Sequence, residues 1–227
     1  MSFDNQENLV GLKAVIFDYG NVLCLPPTPE QVDASARVFG ISTDMFRVLW
    51  SRNRDQYDRG DISPEVYWSK FAEDAGKSLD GGKLRELAER DVAMWSRTNP
   101  VMIAWLEELS AAGIKTAILS NMHIDMVQHA RQNFKWLGLF NWKTFSAEVR
   151  LIKPDPAIYE HCLRGLKVAP SDCLFLDDRE VNLAAARAMG IHGIQYKSMI
   201  QLRNDLKAAG FPTVPADTAP RKAPSSA

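Results

Sequence analysis

Three apolar segments in the sequence are each followed directly by polar residues that could act in hydrolysis. Asp18 follows VIF, Ser120 and Asn121 follow AIL, and Asp177 and Asp178 follow CLFL. A carboxylate can serve as a nucleophile, a hydroxyl can bind an oxyanion, and paired carboxylates suit a hard divalent cation. Each group alone would be an ordinary loop residue, but the three together indicate a catalytic site.

A fourth candidate, Lys153, lies in the stretch LIKPDPAIYEH. Prolines on both sides of Asp155 restrict the backbone there, and so restrict where the lysine can point. Asp155 is expected to cap a helix that begins at Pro156. A loop lysine alone is usually only solvated, so its interpretation depends on the other three groups.

The elements that must position these groups are predicted by short β-branched segments alternating with helical patterns. Near-continuous apolar strands of this kind form a parallel sheet covered by helices on both faces. The predicted fold class is therefore α/β, a doubly wound parallel sheet, which binds ligands at the carboxyl ends of its strands. Strands are predicted at 13–17, 115–119, 173–176 and 191–196.

One region, residues 26–96, shows only helical periodicity and loops. It is too long for a simple crossover between strands, so we predict a small helical cap inserted after the first strand. The predicted core domain comprises 10–25 and 97–211, and the Pro-, Ala- and Ser-rich tail 212–227 is expected to be disordered. Cap helices are predicted at 29–39, 43–56, 64–75 and 82–95.

Composition narrows the classes of partner. The chain has 227 residues, 46% of them hydrophobic, and a formal net charge of -1. Such a balance favours neither nucleic acid nor an anionic membrane surface as a partner. No secretory signal or apolar run of roughly 18 residues is visible. The three cysteines, which are not in CxxC spacing, indicate reduced thiols and a cytoplasmic location.

The order of these motifs resembles that of the haloacid dehalogenase superfamily of aspartate-nucleophile hydrolases. The match runs from FD at 17–18 through LSN at 119–121 and KP at 153–154 to LDD at 176–178. It covers roughly residues 12–200. The stretches FDYGNVL, YDRGDIS and FLDDREVNLAAARAMG are similar to glucose-1-phosphatase-like enzymes and to the amino-terminal phosphatase domain of soluble epoxide hydrolases.

This resemblance implies an aspartyl-phosphate mechanism that depends on Mg²⁺. Asp18 would be the nucleophile and a metal ligand, and Asp178, supported by Asp177, would bind the ion. A phosphate charge 4 Å from a carboxylate costs about 4 kcal/mol at an effective dielectric near 20, so a cation is needed. The phosphate would be held by Ser120, by the backbone near Asn121 and by Lys153.

Gly20 departs from the pattern of most phosphatases in the superfamily, which have an aspartate two residues after the nucleophile. Its carbonyl can still bind Mg²⁺, but it offers no general acid, a contribution usually worth about 10²–10⁴-fold. Proton transfer must then come from a cap residue, a metal-held water or the substrate. Sugar 1-phosphates have better leaving groups than alkyl phosphates, so a small metabolite such as a hexose 1-phosphate is the expected substrate.

Three other functions remain open. The domain could bind phosphoryl groups without catalysis, or it could hydrolyse carbon–halogen bonds as a 2-haloacid dehalogenase, which needs neither an acid nor a metal. The pair Asp177-Asp178 argues against dehalogenation, since adjacent acids would repel each other without a cation. A phosphotransfer receiver domain is disfavoured because its acid pair should follow the first strand.

The cap is expected to choose the substrate, because the core motifs contact only the phosphoryl group. In the stretch YDRGDIS, Gly60 lies between charged residues, and such a loop can reach over the site. We therefore predict that Arg59 contacts the substrate, for example a sugar hydroxyl. A solvated turn between two helices would produce the same sequence.

Overall fold

The computed structural model of the protein describes residues 9–217. At its centre lies a five-stranded parallel sheet with the order β3-β2-β1-β4-β5. The doubly wound α/β class predicted from the sequence is confirmed. The strands are β1 (Ala14–Phe17), β2 (Lys115–Ser120), β3 (Trp142–Phe145), β4 (Cys173–Asp177) and β5 (His192–Gln195).

The central strand β1 shows why the sheet is covered on both faces. Val15 and Phe17 pack into one hydrophobic cluster, whereas Ala14 and Ile16 pack into another. Because successive strand residues point to opposite faces, a fully apolar strand requires helices on both sides. The first cluster includes residues of α6 (Pro100–Ala111), α7 (Ile124–Asn133) and α11 (Met199–Ala208), and the second includes residues of α9 (Pro156–Leu166) and α10 (Glu180–Ala188).

Edge strand β3 was not predicted from the sequence. Its four residues, WKTF, include a lysine, and only Thr144 and Phe145 are buried. An apolar run sufficient to indicate a strand is therefore lacking there. The strand is followed at once by α8 (Ser146–Val149).

A helical insert occupies the chain between β1 and β2. Its apolar residues, among them Phe39, Phe46 and Trp68, form a third cluster separate from the two that flank the sheet. Helix α1 begins with a capping box between Thr28 and Gln31. The helices are α1 (Pro29–Phe39), α2 (Thr43–Ser51), α3 (Arg54–Asp58), α4 (Pro64–Asp74) and α5 (Gly81–Met94).

The single helix predicted at 43–56 is wrong, because two helices occupy that stretch. Helix α2 ends at Ser51, and Asn53 adopts a left-handed conformation with a φ of 60° before α3 begins at Arg54. Asparagine tolerates this conformation better than most residues. The break changes the direction of the chain just before Arg54.

Two linkers join the insert to the core side by side. Cys24 and Thr98 form an antiparallel bridge, and the Leu25 amide donates to the Arg97 carbonyl at 2.7 Å. The Asn99 amide donates to the Leu23 carbonyl at 2.8 Å. The chain therefore leaves and re-enters the core through one paired segment.

The insert also contacts the core near the end of β3. The Ser146 hydroxyl donates to the carbonyl of Asp58 and accepts from the Met122 amide. Gly60 has a φ of +78°, and a Cβ there would lie 3.1 Å from the Ala147 carbonyl oxygen. The glycine in YDRGDIS is thus required by both its backbone angle and the close approach of the core.

The carboxyl-terminal segment can be described only as far as residue 217. Thr213 accepts a hydrogen bond from the Trp105 indole at 3.2 Å, and Val214 packs against the first core cluster. Of the tail 212–227, for which disorder is predicted, residues 218–227 lie outside the described range. Across 9–217, none of the helices is both long and apolar enough to cross a membrane.

Candidate active site

The residues that end β1 and β4 meet Lys153 at the carboxyl edge of the sheet. The Lys153 ammonium lies 2.8 Å from Asp18 Oδ1 and 2.7 Å from Asp177 Oδ2. Strands β1 and β4 are adjacent, so their ends bring Asp18 and Asp177 together. All three side chains are at least nine-tenths buried. Lys153 therefore neutralises two carboxylates that would otherwise repel each other.

Asp177 accepts hydrogen bonds from several groups of the site and thereby positions them. Its oxygens accept from the Lys153 ammonium, from the Arg179 amide at 2.8 Å and from the Asn182 side chain at 3.0 Å. So many donors leave this carboxylate little capacity for a metal ion. Its main role in this arrangement is to hold Lys153 beside Asp18.

Asp18 and Asp178 have more capacity for a ligand. Asp18 Oδ1 accepts from the Tyr19 amide at 2.7 Å and from Lys153, whereas Oδ2 has no hydrogen bond within residues 9–217. Asp178 Oδ2 accepts from the Asn21 side chain at 2.7 Å. Asn21 adopts a left-handed φ of 57°, which the turn after the nucleophile requires.

The carboxylates fit a hard divalent cation. Oxygens of Asp18, Asp177 and Asp178 lie within 4.8 Å of one another. Mg²⁺ prefers oxygen ligands and is usually held by one or two carboxylates together with substrate oxygens. Asp18 and Asp178 match that requirement, and Gly20 lines the same cleft.

Two opposing effects act on the charge of Asp18. Burial raises the pKa of Asp18 to about 7, and the nearby Lys153 ammonium opposes this rise. Burial disfavours the charge on Lys153, but Asp18 and Asp177 outweigh it and raise the lysine pKa. Opposite charges within hydrogen-bond distance favour both ionised forms. The lysine therefore remains a cation beside Asp18.

Ser120 is the last residue of β2, Asn121 follows it, and both line the same cleft. The Asn121 side chain donates to the Lys153 carbonyl at 3.0 Å and accepts from the Lys153 amide at 2.8 Å. Both of its polar atoms are thus used to fix the lysine loop. The sequence analysis assigned the backbone near Asn121 to the phosphate, and the side chain of Asn121 holds the backbone of Lys153. The Ser120 hydroxyl makes only a long 3.4 Å contact with the Asn121 carbonyl.

Gly20 has ordinary backbone angles, with φ of -59° and ψ of 128°. Glycine is therefore not required there by conformation, in contrast to Asn21. A Cβ at Gly20 would lie 3.8 Å from the Trp95 ring, which is ordinary van der Waals contact. A larger side chain at this position would meet Trp95, the residue that directly follows α5.

The cleft that contains these groups has a volume of about 340 Å³. A larger cavity of about 640 Å³ lies between α4, α5 and α7 and includes none of the four predicted groups. The chemistry therefore belongs to the smaller cleft. From the insert, the smaller cleft is lined by Ser51, Arg54, Asp55, Asp58 and Trp95.

Arg59, predicted to contact the substrate, does not line this cleft. Its guanidinium pairs with Asp61 at 2.7 Å on the exterior of the insert. Arg54 takes the position in the cleft that the sequence reasoning gave to Arg59. The helix break at Asn53 turns Arg54 inward, and the apolar periodicity gave no signal of that break.

Comparison with known proteins identifies the family. A family model described as haloacid dehalogenase-like hydrolase matches residues 12–190. The chain belongs to this family. The resemblance inferred from the motifs is thereby confirmed, and the protein is a hydrolase of the haloacid dehalogenase type.

The similar proteins include a phosphatase, a bifunctional epoxide hydrolase and a dehalogenase. The chain is 28% identical to sesquiterpene phosphatase astK of Aspergillus oryzae, over 80% of this chain and 88% of that protein. It is 33% identical to bifunctional epoxide hydrolase 2 of Rattus norvegicus, over 91% of this chain but only 41% of that larger protein. It is also 25% identical to (S)-2-haloacid dehalogenase 4A of Burkholderia cepacia, over 81% and 82%.

A solved structure shares the fold. A haloacid dehalogenase family enzyme of Bacteroides thetaiotaomicron, solved with magnesium and inorganic phosphate, superposes with a TM-score of 0.66 at 21% identity. The superposition covers 82% of this chain and 95% of that one. At this identity the likeness shows the haloacid dehalogenase-like fold of the chain and nothing finer.

Proposed function

We propose that the protein is a Mg²⁺-dependent phosphatase that hydrolyses small phosphorylated metabolites through an aspartyl phosphate on Asp18. The observation that supports this most is the placement of Lys153 between Asp18 and Asp177, with the Asp178 carboxylate nearby. This arrangement combines a nucleophile, a fixed cation and oxygen ligands in one small cleft. Relatives that act as phosphatases are consistent with it.

In the proposed reaction Asp18 Oδ2 attacks phosphorus, and the ester oxygen leaves with the bonding electron pair and takes a proton from a water molecule. Water then attacks the phosphorus of the aspartyl phosphate, inorganic phosphate leaves and the Asp18 carboxylate is restored. Lys153 and the Ser120 hydroxyl stabilise the phosphoryl oxygens. Positioning and charge stabilisation supply most of the catalysis in such transfers.

The metal would be held by Asp18 and Asp178, with the Gly20 carbonyl as a further ligand. When bound, Mg²⁺ supplies positive charge that offsets repulsion between the nucleophile and the phosphoryl oxygens. Asp177 supports this arrangement by holding Lys153. The insert over the cleft is proposed to act as a cap that selects the organic part of the substrate, a sugar 1-phosphate being the best candidate.

Two alternatives are less well supported. A haloacid dehalogenase is among the relatives, but dehalogenation needs no metal and so does not explain why Asp178 lies beside Asp18. A phosphoryl-binding domain without catalysis is favoured only by the absence of an acid at Gly20. The Lys153 ammonium, 2.8 Å from Asp18 Oδ1, opposes the rise in the Asp18 pKa that burial causes, and so suits a nucleophile that must be charged when substrate binds.

Hydrolysis of p-nitrophenyl phosphate and glucose 1-phosphate, with Mg²⁺ and with EDTA, tests the proposal. We expect turnover with Mg²⁺, at least a hundredfold loss with EDTA, and no turnover for Asp18→Asn or Asp178→Asn. A matched control is Asp172→Asn, because Asp172 pairs with Lys13 at the opposite end of β4 and should leave turnover unchanged. Equal rates with and without EDTA would contradict the metal assignment, and activity of Asp18→Asn would contradict the nucleophile.

A further inference from the structure

Arg54 is the cation that the insert contributes to the active-site cleft. It begins α3 immediately after the helix break, and its side chain is 19% exposed. It lines the same cleft as Asp18 and Lys153. Neither Asp18 nor Lys153 is bonded to it, so Arg54 is available to a different part of the substrate from the phosphoryl group.

Neighbouring side chains of the insert hold the guanidinium of Arg54 in place. Its Nε donates to Asp58 Oδ1 at 3.0 Å, and an Nη donates to Asp91 Oδ2 at 2.8 Å. The guanidinium also lies 5.8 Å from the centre of the Tyr67 ring. The guanidinium further lies 5.3 Å from the centre of the Tyr57 ring. These contacts orient the group in advance, which lowers the entropic cost of binding a ligand.

The remaining donors of Arg54 can serve a substrate. A guanidinium has more N–H groups than the two carboxylates Asp58 and Asp91 use, and it accepts no hydrogen bonds. The carboxylates of Asp55 and Asp58 line the same part of the cleft and can only accept when ionised. A hydroxyl group both donates and accepts, so it can satisfy both kinds of residue. A hydrocarbon would leave these groups unpaired, at a cost in affinity.

The charges around Arg54 also discriminate against anions. Asp58 and Asp91 flank the arginine, and Asp55 lies on the same short helix. One positive charge is thus surrounded by carboxylates, which repel a second phosphate group. This contrasts with the phosphoryl end of the cleft, where the fixed cation Lys153 and a divalent ion would face the anion.

A buried histidine adds a second observation beside this cluster. His123 is 1% exposed and lines the cleft, and neither ring nitrogen forms a hydrogen bond with any residue from 9 to 217. Its Nε2 lies 3.4 Å from Asp91 Oδ2. Buried polar groups without a partner are rare in proteins, so this ring is suited to meet a polar ligand group.

We propose that Arg54, Asp55 and Asp58 form a subsite for hydroxyl groups on the leaving group, so that the preferred substrates are polyhydroxylated monophosphates. The inference rests on the proposed phosphatase function and names its substrate class. Arg54 donates to a substrate oxygen, and the carboxylates accept from substrate hydroxyls. Apolar phosphomonoesters and bisphosphates are the substrates that the subsite disfavours.

The test compares two ring substrates that differ in their hydroxyl groups, inositol 1-phosphate and cyclohexyl phosphate. For the unaltered protein we expect kcat/KM to be at least tenfold higher with inositol 1-phosphate. Farnesyl phosphate and glucose 1,6-bisphosphate should also be poor substrates. A preference for cyclohexyl or farnesyl phosphate, or for the bisphosphate, would overturn the subsite without any variant having to fold.

Two arginines provide a matched pair of variants. Arg54→Gln should reduce the preference for inositol 1-phosphate at least tenfold, with Arg54→Lys retaining part of it. Arg59→Gln, five residues along the same segment but outside the cleft, should leave the preference unchanged. An equal effect of Arg54→Gln and Arg59→Gln would contradict the assignment. Melting temperatures would show whether Arg54→Gln folds, and Arg54→Lys serves if it does not.

Failure of the proposed function has a different signature. If no phosphomonoester is hydrolysed with Mg²⁺ present, the phosphatase proposal fails while the subsite can still be tested by binding. In the Asp18→Asn background, calorimetry should then show at least tenfold weaker binding of inositol 1-phosphate for Arg54→Gln than for Arg59→Gln. Equal affinities would overturn the subsite as well.

Discussion

At the scale of single residues, the lack of an acid at Gly20 has a direct chemical consequence. A leaving oxygen that is not protonated in the transition state carries more negative charge, so its basicity controls the rate. The backbone of Gly20 is compatible with any residue, and a Cβ there would only touch the Trp95 ring. The position can therefore be changed without straining the turn.

We predict that the rate of hydrolysis rises steeply as the pKa of the leaving group falls, and that Gly20→Asp flattens this dependence. General acid catalysis by the new carboxyl group should raise kcat for alkyl phosphates by about 10²-fold. A series of aryl and alkyl phosphates measured with both proteins checks this. A dependence that is already flat in the unaltered protein would mean that another residue supplies the proton.

The proximity of some site residues could be predicted from the sequence, and that of others could not. Asp18, Ser120 and Asp177-Asp178 follow apolar strands, and parallel strands end at one edge, so their proximity could be predicted from the segments alone. The hydrogen bonds between the Asn121 side chain and the Lys153 backbone could not be predicted in this way, because they depend on the path of two loops. Arg54 was missed for a similar reason, since a local helix break decides its direction.

At the scale of elements, strands buried on both faces were predicted well, while edges and breaks were not. The central strand β1 is apolar throughout and is fully buried, so its pattern was unambiguous. Strand β3 at the sheet edge keeps Trp142 and Lys143 partly exposed and lacks such a pattern. The break between α2 and α3 occurs at one asparagine with a positive φ, and the spacing of apolar residues does not indicate such a conformation.

The contact of the insert with α8 yields a prediction for Gly60. Gly60→Ala introduces a Cβ 3.1 Å from a backbone oxygen of Ala147, in addition to its unfavourable φ. We expect it to lower the free energy of unfolding by about 2–4 kcal/mol, combining strain at positive φ with overpacking. Because the displaced segment also carries Arg54, KM for hydroxylated substrates should rise.

Gly76→Ala is the control for this experiment. Gly76 also lies in the insert and has a φ of +68°, but a Cβ there meets nothing within 4 Å among the described residues. Gly76→Ala should lower the free energy of unfolding only through strain at positive φ, by about 1–2 kcal/mol, and it should leave KM unchanged. Urea unfolding and steady-state kinetics measure both effects. Equal losses for the two variants would show that the approach to Ala147 is unimportant.

At the scale of the whole molecule, a buried histidine couples the stability of the fold to pH. Burial lowers the pKa of His123 to about 3, below its ordinary 6.5, with Asp91 opposing and Arg54 reinforcing the shift. The unfolded chain therefore binds a proton between pH 6.5 and 3 that the folded chain does not. Stability must fall as the pH is lowered through that window, by up to about 1.4 kcal/mol per pH unit.

We predict that His123→Phe removes this part of the pH dependence while preserving the stacking on Tyr57. Between pH 7 and pH 5, the unaltered protein should lose about 2 kcal/mol more stability than the variant. Urea unfolding at the two pH values provides the comparison. The same loss in both proteins would mean that His123 is protonated in the folded state, contrary to its buried position.

The paired linkers at Cys24 and Thr98 join the core to the insert that is proposed to select the substrate. Because the chain departs and returns at one point, the segment between can vary in length or be exchanged at little entropic expense. Asp18, Ser120, Lys153 and Asp178 all come from outside that segment. The same hydrolytic core can thus carry different inserts over evolutionary time, each suited to a different leaving-group alcohol.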